Sequence, residues 1–384
     1  MDAPIRMTLS EREVAVKRFY GRLDKAMASK APTKTWVRKA LRHQGADRCP
    51  VRLRRLSLDV ILRHGDALAD LFCEYPDDLV ATQAYEMFAG WQPATHPAKV
   101  NPIEVLTQDA RWTDEWGTDW HHTADGVGAT PASYPLSDWS MLDDYLAKRM
   151  PDPNAPGRMD GALPSLRMHG ESKYVMAMTH LALFERFHCL RSMENAFGDF
   201  YEFPAETDRL LGALTDYLVE IVRRWGQLGG VDAWFFTDDW GTQSAMMISP
   251  DLWRKFFAAR YRRICDEAHR WNMDVVFHSC GNVTEIVGDL IDVGVDVVDP
   301  LQPEAMDVAR VAREFGGKVG FSGGISDQEL VAFTPQKVRD HVRRTIETVG
   351  RAARNAYIVA PSNVLPPEIP LANLQALFEA CHDQ

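Results

Sequence analysis

The fold this sequence predicts is a (β/α)8 TIM barrel, and three observations predict it. Short apolar runs alternate with amphipathic helical stretches through the second half of the chain, as successive βα units do. The runs are nearly continuous in apolar residues, as in Val275-Val276-Phe277, which suits a parallel sheet buried on both faces. Each run then breaks off into polar or glycine residues, at the strand end where such barrels gather their functional groups. The runs are Asp232 to Thr237, Asp274 to Phe277, Val295 to Val298, Lys318 to Phe321 and Ala356 to Ala360. At 384 residues the chain exceeds the roughly 250 that a barrel needs, leaving material for an N-terminal helical extension and long loops over the barrel mouth.

Taken in order, Ser10 and Glu13 stand at capping-box spacing ahead of Val16, Phe19, Tyr20, Leu23 and Met27, which predicts an amphipathic helix. A basic helix is expected over 35–43, after which Gly45 and Asp47 lead to Pro50-Val51-Arg52-Leu53, a candidate first strand. Residues 93–164 are rich in Trp, Pro, Gly and Asp without regular periodicity, and read as a lid or binding segment. Within it Trp112, Trp116, Trp120 and Trp139 either wall a substrate or pack the loops onto the barrel. Tyr174 to Thr179 predicts a strand, followed by a helical core stripe of Leu183, Phe187, Leu190 and Met193. Pro204 opens a helix carrying Leu211, Leu214, Leu218, Ile221 and Trp225. Ser249-Pro250 supplies a cap and first-turn proline for another, with Trp253, Phe256, Phe257, Ile264 and Ala268 inward.

A net charge of −11 with no basic stripe excludes nucleic acid as the expected partner. The six cysteines form no CxxC pair, which fits a reducing compartment. No run reaches membrane-spanning length and Met1 to Met7 lacks the apolar core of a signal peptide, so the expected address is cytoplasmic, without a membrane partner. Neither a phosphate loop of the GxxxxGK[ST] type nor a GxSxG elbow is found.

The chemistry concentrates at the strand ends. His278 and Cys280 are two apart, so on a continuing strand both side chains leave the same face. Imidazole nitrogen and thiolate sulfur together favour zinc, and a catalytic zinc adds one more protein ligand and keeps a position open. The plainer alternative is an inert buried cysteine beside a hydrogen-bonded histidine. Asp238 and Asp239 are adjacent, so only one of them can face the barrel interior. That one is a candidate metal ligand, orienting group or general acid–base. Gln243 offers an amide one turn downstream, and other strand ends carry Gln302, Ser322 and Asn363.

Phe236-Thr237-Asp238-Asp239-Trp240-Gly241-Thr242-Gln243, Ser249-Pro250, His278-Ser279-Cys280-Gly281-Asn282-Val283 and Asp299-Pro300-Leu301-Gln302 together resemble the uroporphyrinogen decarboxylase superfamily. Ala46-Asp47-Arg48-Cys49-Pro50-Val51, Asp114-Glu115-Trp116-Gly117, Ala360-Pro361-Ser362-Asn363 and Pro370-Leu371-Ala372-Asn373 extend the likeness. It covers the chain from about Val37, which leaves residues 1–36 as an extension and 37–384 as the barrel domain. The superfamily divides into tetrapyrrole decarboxylases and zinc-dependent methyltransferases, which move methyl groups between a corrinoid and a thiol, or from methoxy or methylamine donors to a corrinoid. This chain looks like the second kind, because the decarboxylase signature Arg-Gln-Ala-Gly-Arg is absent while His278 and Cys280 match the H-x-C half of the zinc motif. Relatives that activate coenzyme thiols carry a further cysteine after the last strand, where this chain has Ser362 and Asn363.

The resemblance therefore implies zinc on His278, Cys280 and an aspartate, taken as Asp238, with Asp238 and Asp239 as the catalytic carboxylates. Substrate contacts are expected from Trp116, Trp240, Gln243, Gln302, Ser322 and Asn363. A small methyl donor and a corrinoid on a partner protein are the implied reactants, and a homodimer is compatible. The alternative is a metal-free decarboxylase or lyase, in which Asp238 or Asp239 stabilises a cationic intermediate and Arg52 or Arg54 binds a carboxylate.

Overall fold

The structure is a computed structural model that describes residues 7–84, 108–123 and 128–384. Its strands in chain order are β1 (Leu79–Gln83), β2 (Ala110–Thr113), β3 (Asp119–His122), β4 (Thr130–Ser133), β5 (Tyr174–Thr179), β6 (Ala233–Thr237), β7 (Asp274–His278), β8 (Val297–Leu301), β9 (Gly320–Ile325) and β10 (Tyr357–Pro361). Seven of them, β1 and β5 to β10, pair in parallel in that order. The two edges meet through Pro50 to Arg52. Val359 N donates to Pro50 O at 2.7 Å, Arg52 N to Val359 O at 2.9 Å and Asp78 N to Val51 O at 2.9 Å. The candidate first strand is thus a single bridge, and it closes the sheet into the expected α/β barrel.

Two apolar layers hold the barrel together. Leu79, Tyr174, Met176, Ala233, Phe235, Val276, Val297, Ile358 and Ala360 fill the interior, with Val37 and Leu41 of the helix Lys34–Leu41 plugging the amino end. The alternate residues, among them Trp234, Phe236, Phe277 and Phe321, pack outward against the helices. Three aspartates stand at the amino ends of β6, β7 and β8, and the basic face of the plugging helix meets two of them. Asp232 takes Lys34 at 2.7 Å and Arg38, while Asp274 takes Arg42 at 2.7 Å. Asp296 takes His269, from the helix Ala259–Arg270, at 2.8 Å.

Several local expectations are corrected. The first helix, Leu9–Ser29, is capped by Thr8 with Glu11 rather than by Ser10 with Glu13, since Glu11 N donates to Thr8 Oγ1 and Thr8 N to Glu11 Oε2. β9 runs on through Gly323 and Gly324, because their positive φ of 92° and 86° carries the strand past the point where glycines predict a loop. Part of the expected lid, at 93–107 and 124–127, lies outside the described residues. The remainder is regular, with β2, β3 and β4 forming an antiparallel sheet in which Trp112 and Trp120 face each other and are buried. Asp114 Oδ1 accepts N–H from Trp116 and Thr118 and so makes the turn between β2 and β3. Among the described residues no helix is long and apolar enough to cross a membrane.

Candidate metal centre

The carboxyl end of the barrel brings three potential ligands together. The His278 Nε2, Cys280 Sγ and Asp239 carboxylate oxygen all lie within 4.8 Å of one another. Sγ is 3.4 Å from Nε2, and Asp239 Oδ1 is 4.0 Å from it. Two glycines make this approach feasible. A Cβ on Gly281, at φ +79°, would stand 2.3 Å from the Gly241 carbonyl carbon, and one on Gly241 would stand 2.5 Å from Asn282 N. The loops after β6 and β7 therefore touch backbone to backbone. Cys280 N reaches Asp239 Oδ1 at 2.7 Å, and Gly281 N is held by Gln302 Oε1 at 2.7 Å.

His278 is oriented from behind. Its Nδ1 meets Asp299 Oδ1 at 2.5 Å, and Asp299 in turn accepts Arg55 at 2.9 and 3.2 Å. Burial works against both charges, yet the Arg55 guanidinium and the histidine hold the Asp299 carboxyl well below its ordinary range. Burial likewise depresses His278, but the hydrogen bonds it makes to Asp299 and Cys280 outweigh it and push the imidazole up to about 10. A metal taking the place of the Nε2 proton would find Nε2 facing Cys280 and Asp239, while Asp299 keeps the proton on Nδ1. A carboxylate behind a histidine is the usual support of a metal ligand. The donor set of one nitrogen, one sulfur and one oxygen fits zinc.

Asp238, expected among the ligands, turns the other way. Its carboxylate caps the helix Leu183–Arg191, accepting N–H from Leu183 at 3.2 Å, Phe184 at 3.0 Å and Glu185 at 2.7 Å, and the Tyr261 hydroxyl. Burial raises its pKa to about 7 in spite of those donors. Trp240 is fully buried, stacked on Phe184 at 4.3 Å with its indole N–H on Tyr261, and so cannot reach a substrate. Trp116 is buried too, edge-on to Tyr217 at 4.7 Å and covered by the Arg186 guanidinium. Gln243 lies exposed in the loop after β6. Asn363 does come to the site, its Nδ2 3.7 Å from Cys280 Sγ, and Ser322 lines the interior from β9.

Two residues not expected at the site also belong here: Arg55, whose run Arg52 to Arg55 reads as local surface or anion contacts, and Glu185. Arg55 lies in the bend after the bridge at Val51, 244 positions from Asp299, so no local pattern reveals their pairing. Glu185 sits in the first turn of the helix after β5, hidden inside a stripe read as core. Its Oε2 accepts the Thr237 hydroxyl at 2.7 Å. Burial, then the Asp239 and Asp238 charges, raise its pKa to about 8, so it holds a proton at neutral pH. Its place just past the carboxyl end of a strand is the one signal that could have singled it out.

A closed parallel barrel with a histidine–cysteine–aspartate group at the carboxyl ends of its strands defines a barrel-enzyme type of site. The sequence profile of the uroporphyrinogen decarboxylase (URO-D) family matches residues 185–384, more than half of the chain, and the chain belongs to that family. No curated protein matches it. Among solved structures, a methyltransferase from Methanosarcina mazei superposes with a TM-score of 0.64 at 16% identity, over 92% of this chain and 98% of that one. A B12-independent methionine synthase from Shewanella sp. W3-18-1, in complex with selenomethionine, overlaps 56% of this chain and 65% of its own at 14% identity and a TM-score of 0.39.

Proposed function

We propose that this chain is a zinc-dependent methyltransferase. It would take a methyl group from a methoxy- or methylamine-type small molecule and pass it to a corrinoid on a partner protein, or to another acceptor. The observation that carries this reading is the convergence of the Asp239, His278 and Cys280 ligand atoms within 4.8 Å, at the end of the barrel where substrates enter. When bound, zinc supplies the Lewis acidity that makes the heteroatom a better leaving group. The chain's own residues do the rest. Asp299 orients His278, and Arg55 keeps Asp299 ionised. The Cys280 N–H steers Asp239, and protonated Glu185 is a proton source beside Asp239. Six free thiols among the described residues support a reducing, cytoplasmic setting.

A metal-free decarboxylase or lyase is the second reading, favoured by the buried Arg52 in the barrel. Metal content separates the two. Elemental mass spectrometry on protein purified without chelators or a histidine tag is expected to find about one zinc per chain, lost in Cys280→Ala without loss of the fold. Chelation should then abolish demethylation of methoxy and methylamine donors in the presence of a corrinoid. Protein that takes up no zinc on incubation, or a Cys280→Ala variant that keeps its zinc, rules the reading out.

A further inference from the structure

The barrel mouth is divided into two arcs. On β6, β7 and β8 stand the groups that converge on a cation: Asp239, His278, Cys280 and, behind them, Asp299. The arc running from β9 through Pro50 to Arg52 and on to β5 instead carries polar groups that, among the described residues, meet no carboxylate or other oxygen acceptor: the Ser322 hydroxyl and His180 Nδ1 have no partner, and Arg52 has the Met178 sulfur.

Arg52 is 5% exposed and lies between Val51 and Leu53, which pack in the outer core, so its side chain enters the barrel. There it lies over the Phe235 ring at 5.5 Å and 3.9 Å from the Met178 sulfur, with no carboxylate in ion-pair contact. Ser322 is 1% exposed and in register with the interior residue Ile358, and its hydroxyl has no partner. His180 follows the inward series of Tyr174, Met176 and Met178, and its Nδ1 is buried without a partner. Burial, then His278 and Arg52, push His180 down to about 3, so it is a neutral imidazole with one N–H to give. A buried guanidinium whose one side-chain acceptor is a thioether sulfur, with no carboxylate paired to it, is costly. Two unpartnered polar groups and a guanidinium without a carboxylate in one arc suit a ligand rich in acceptors. The Phe235 ring lies between the arcs, its centroid 5.7 Å from the His278 ring and 5.5 Å from the Arg52 guanidinium.

On the methyltransferase reading above, we propose that the methyl donor is a small carboxylic acid, with its carboxylate on Arg52, Ser322 and His180 and its methyl-bearing oxygen or nitrogen towards Asp239, His278 and Cys280. The carboxylate takes no part in the bond changes. The heteroatom–methyl bond breaks, the acceptor's nucleophile forms the new bond to methyl, and the heteroatom takes up a proton.

The test is calorimetric titration of the full chain, zinc-loaded and chelator-stripped, with methoxyacetate, N,N-dimethylglycine and 3-methoxybenzoate, each beside its uncharged amide. At least one acid is expected to bind about 10- to 100-fold more tightly than its amide, as a charge-assisted pair would give. That preference should vanish in Arg52→Gln, survive in part in Arg52→Lys, and persist in the stripped protein. No acid preference in the wild type, or an undiminished one in Arg52→Gln, overturns the proposal. Thermal unfolding supplies a second readout: Arg52→Gln should melt no lower than the wild type, because it removes an unmatched buried charge, and a clear fall would mark Arg52 as structural and overturn the proposal. An Arg52-dependent preference in a protein that binds no zinc supports the carboxylate pocket and removes only the methyltransferase reading.

Discussion

The two ends of the barrel use the same residue types to opposite ends. At the amino end Asp232, Asp274 and Asp296 are each closed by a cation, from Lys34, Arg38, Arg42 and His269. At the carboxyl end Asp239 faces a histidine and a thiol, and Arg52, though it feels the Asp299 and Asp77 charges, pairs with no carboxylate among the described residues. A closed pair there, Arg55 with Asp299, serves to aim His278. Charges matched within the chain hold a fold together, whereas buried groups left unmatched oppose it and persist where a ligand completes them. The amino end should therefore be sensitive in stability, and the carboxyl end in binding.

The largest effect expected on that contrast is at Asp232. Its carboxylate, fully buried, takes Lys34, Arg38 and the Val175 N–H at 2.9 Å. Asp232→Ala should cost about 3 kcal/mol in denaturant unfolding, the low end for breaking a buried pair, since Lys34 and Arg38 keep some solvent. Zinc stoichiometry of the folded protein should not change. A loss under about 1 kcal/mol would remove the amino end as the structural one.

Asp238 and Asp239 bring the contrast down to neighbouring residues. Asp238→Asn places an amide among backbone N–H groups that need acceptors, and should lower stability by about 1–2 kcal/mol while zinc affinity holds. Asp239→Asn should leave apo stability within about 0.5 kcal/mol. Its zinc affinity should drop by more than the roughly 10- to 100-fold typical of losing a group behind a ligand. Competition against a chromogenic chelator measures the second, and denaturant unfolding of the apo protein the first. The opposite pattern would exchange the two roles.

How much of this was legible in the sequence follows from how local each cause is. β5 could be read to the residue, since Tyr174 to Thr179 is buried on both faces and apolar almost throughout. His278 and Cys280 were paired on the two-residue period of a continuing strand, whereas β7 ends at His278 and the loop, held by Cys280 N on Asp239, brings the thiol back to the ring. Asp238 and Asp239 could not be told apart, because the backbone that decides between them is the Gly241–Gly281 contact, made by loops 40 positions apart. Trp240 stands beside the site residues in sequence yet stacks on Phe184, which belongs to the helix after β5. Thr8–Glu11 and Ser10–Glu13 share one spacing pattern, and only the helix start at Leu9 separates them. The pairings of Arg55 with Asp299 and Glu185 with Thr237 span distant segments, beyond the reach of any periodicity.

The smallest effect lies at the one amino-end pair whose cation titrates near neutrality. The hydrogen bond to Asp296 raises the His269 pKa, burial opposes it, and the Asp296, Asp274 and Asp266 charges add to the rise. A histidine with a raised folded-state pKa stabilises the fold fully below its unfolded value of about 6.5, and that contribution fades as pH climbs through the folded value. His269 and Asp296 are both about a third or more exposed, so solvent screening holds the pair to the usual surface range of about 0.2–1 kcal/mol. The stability difference between wild type and His269→Gln should therefore be present at about pH 6, shrink towards about pH 9 and be weakened by salt. Paired denaturant titrations across that range measure it. A difference that does not change with pH would mean that His269 holds Asp296 as a neutral hydrogen-bond donor, and that charge matching at the amino end stops at Asp232 and Asp274.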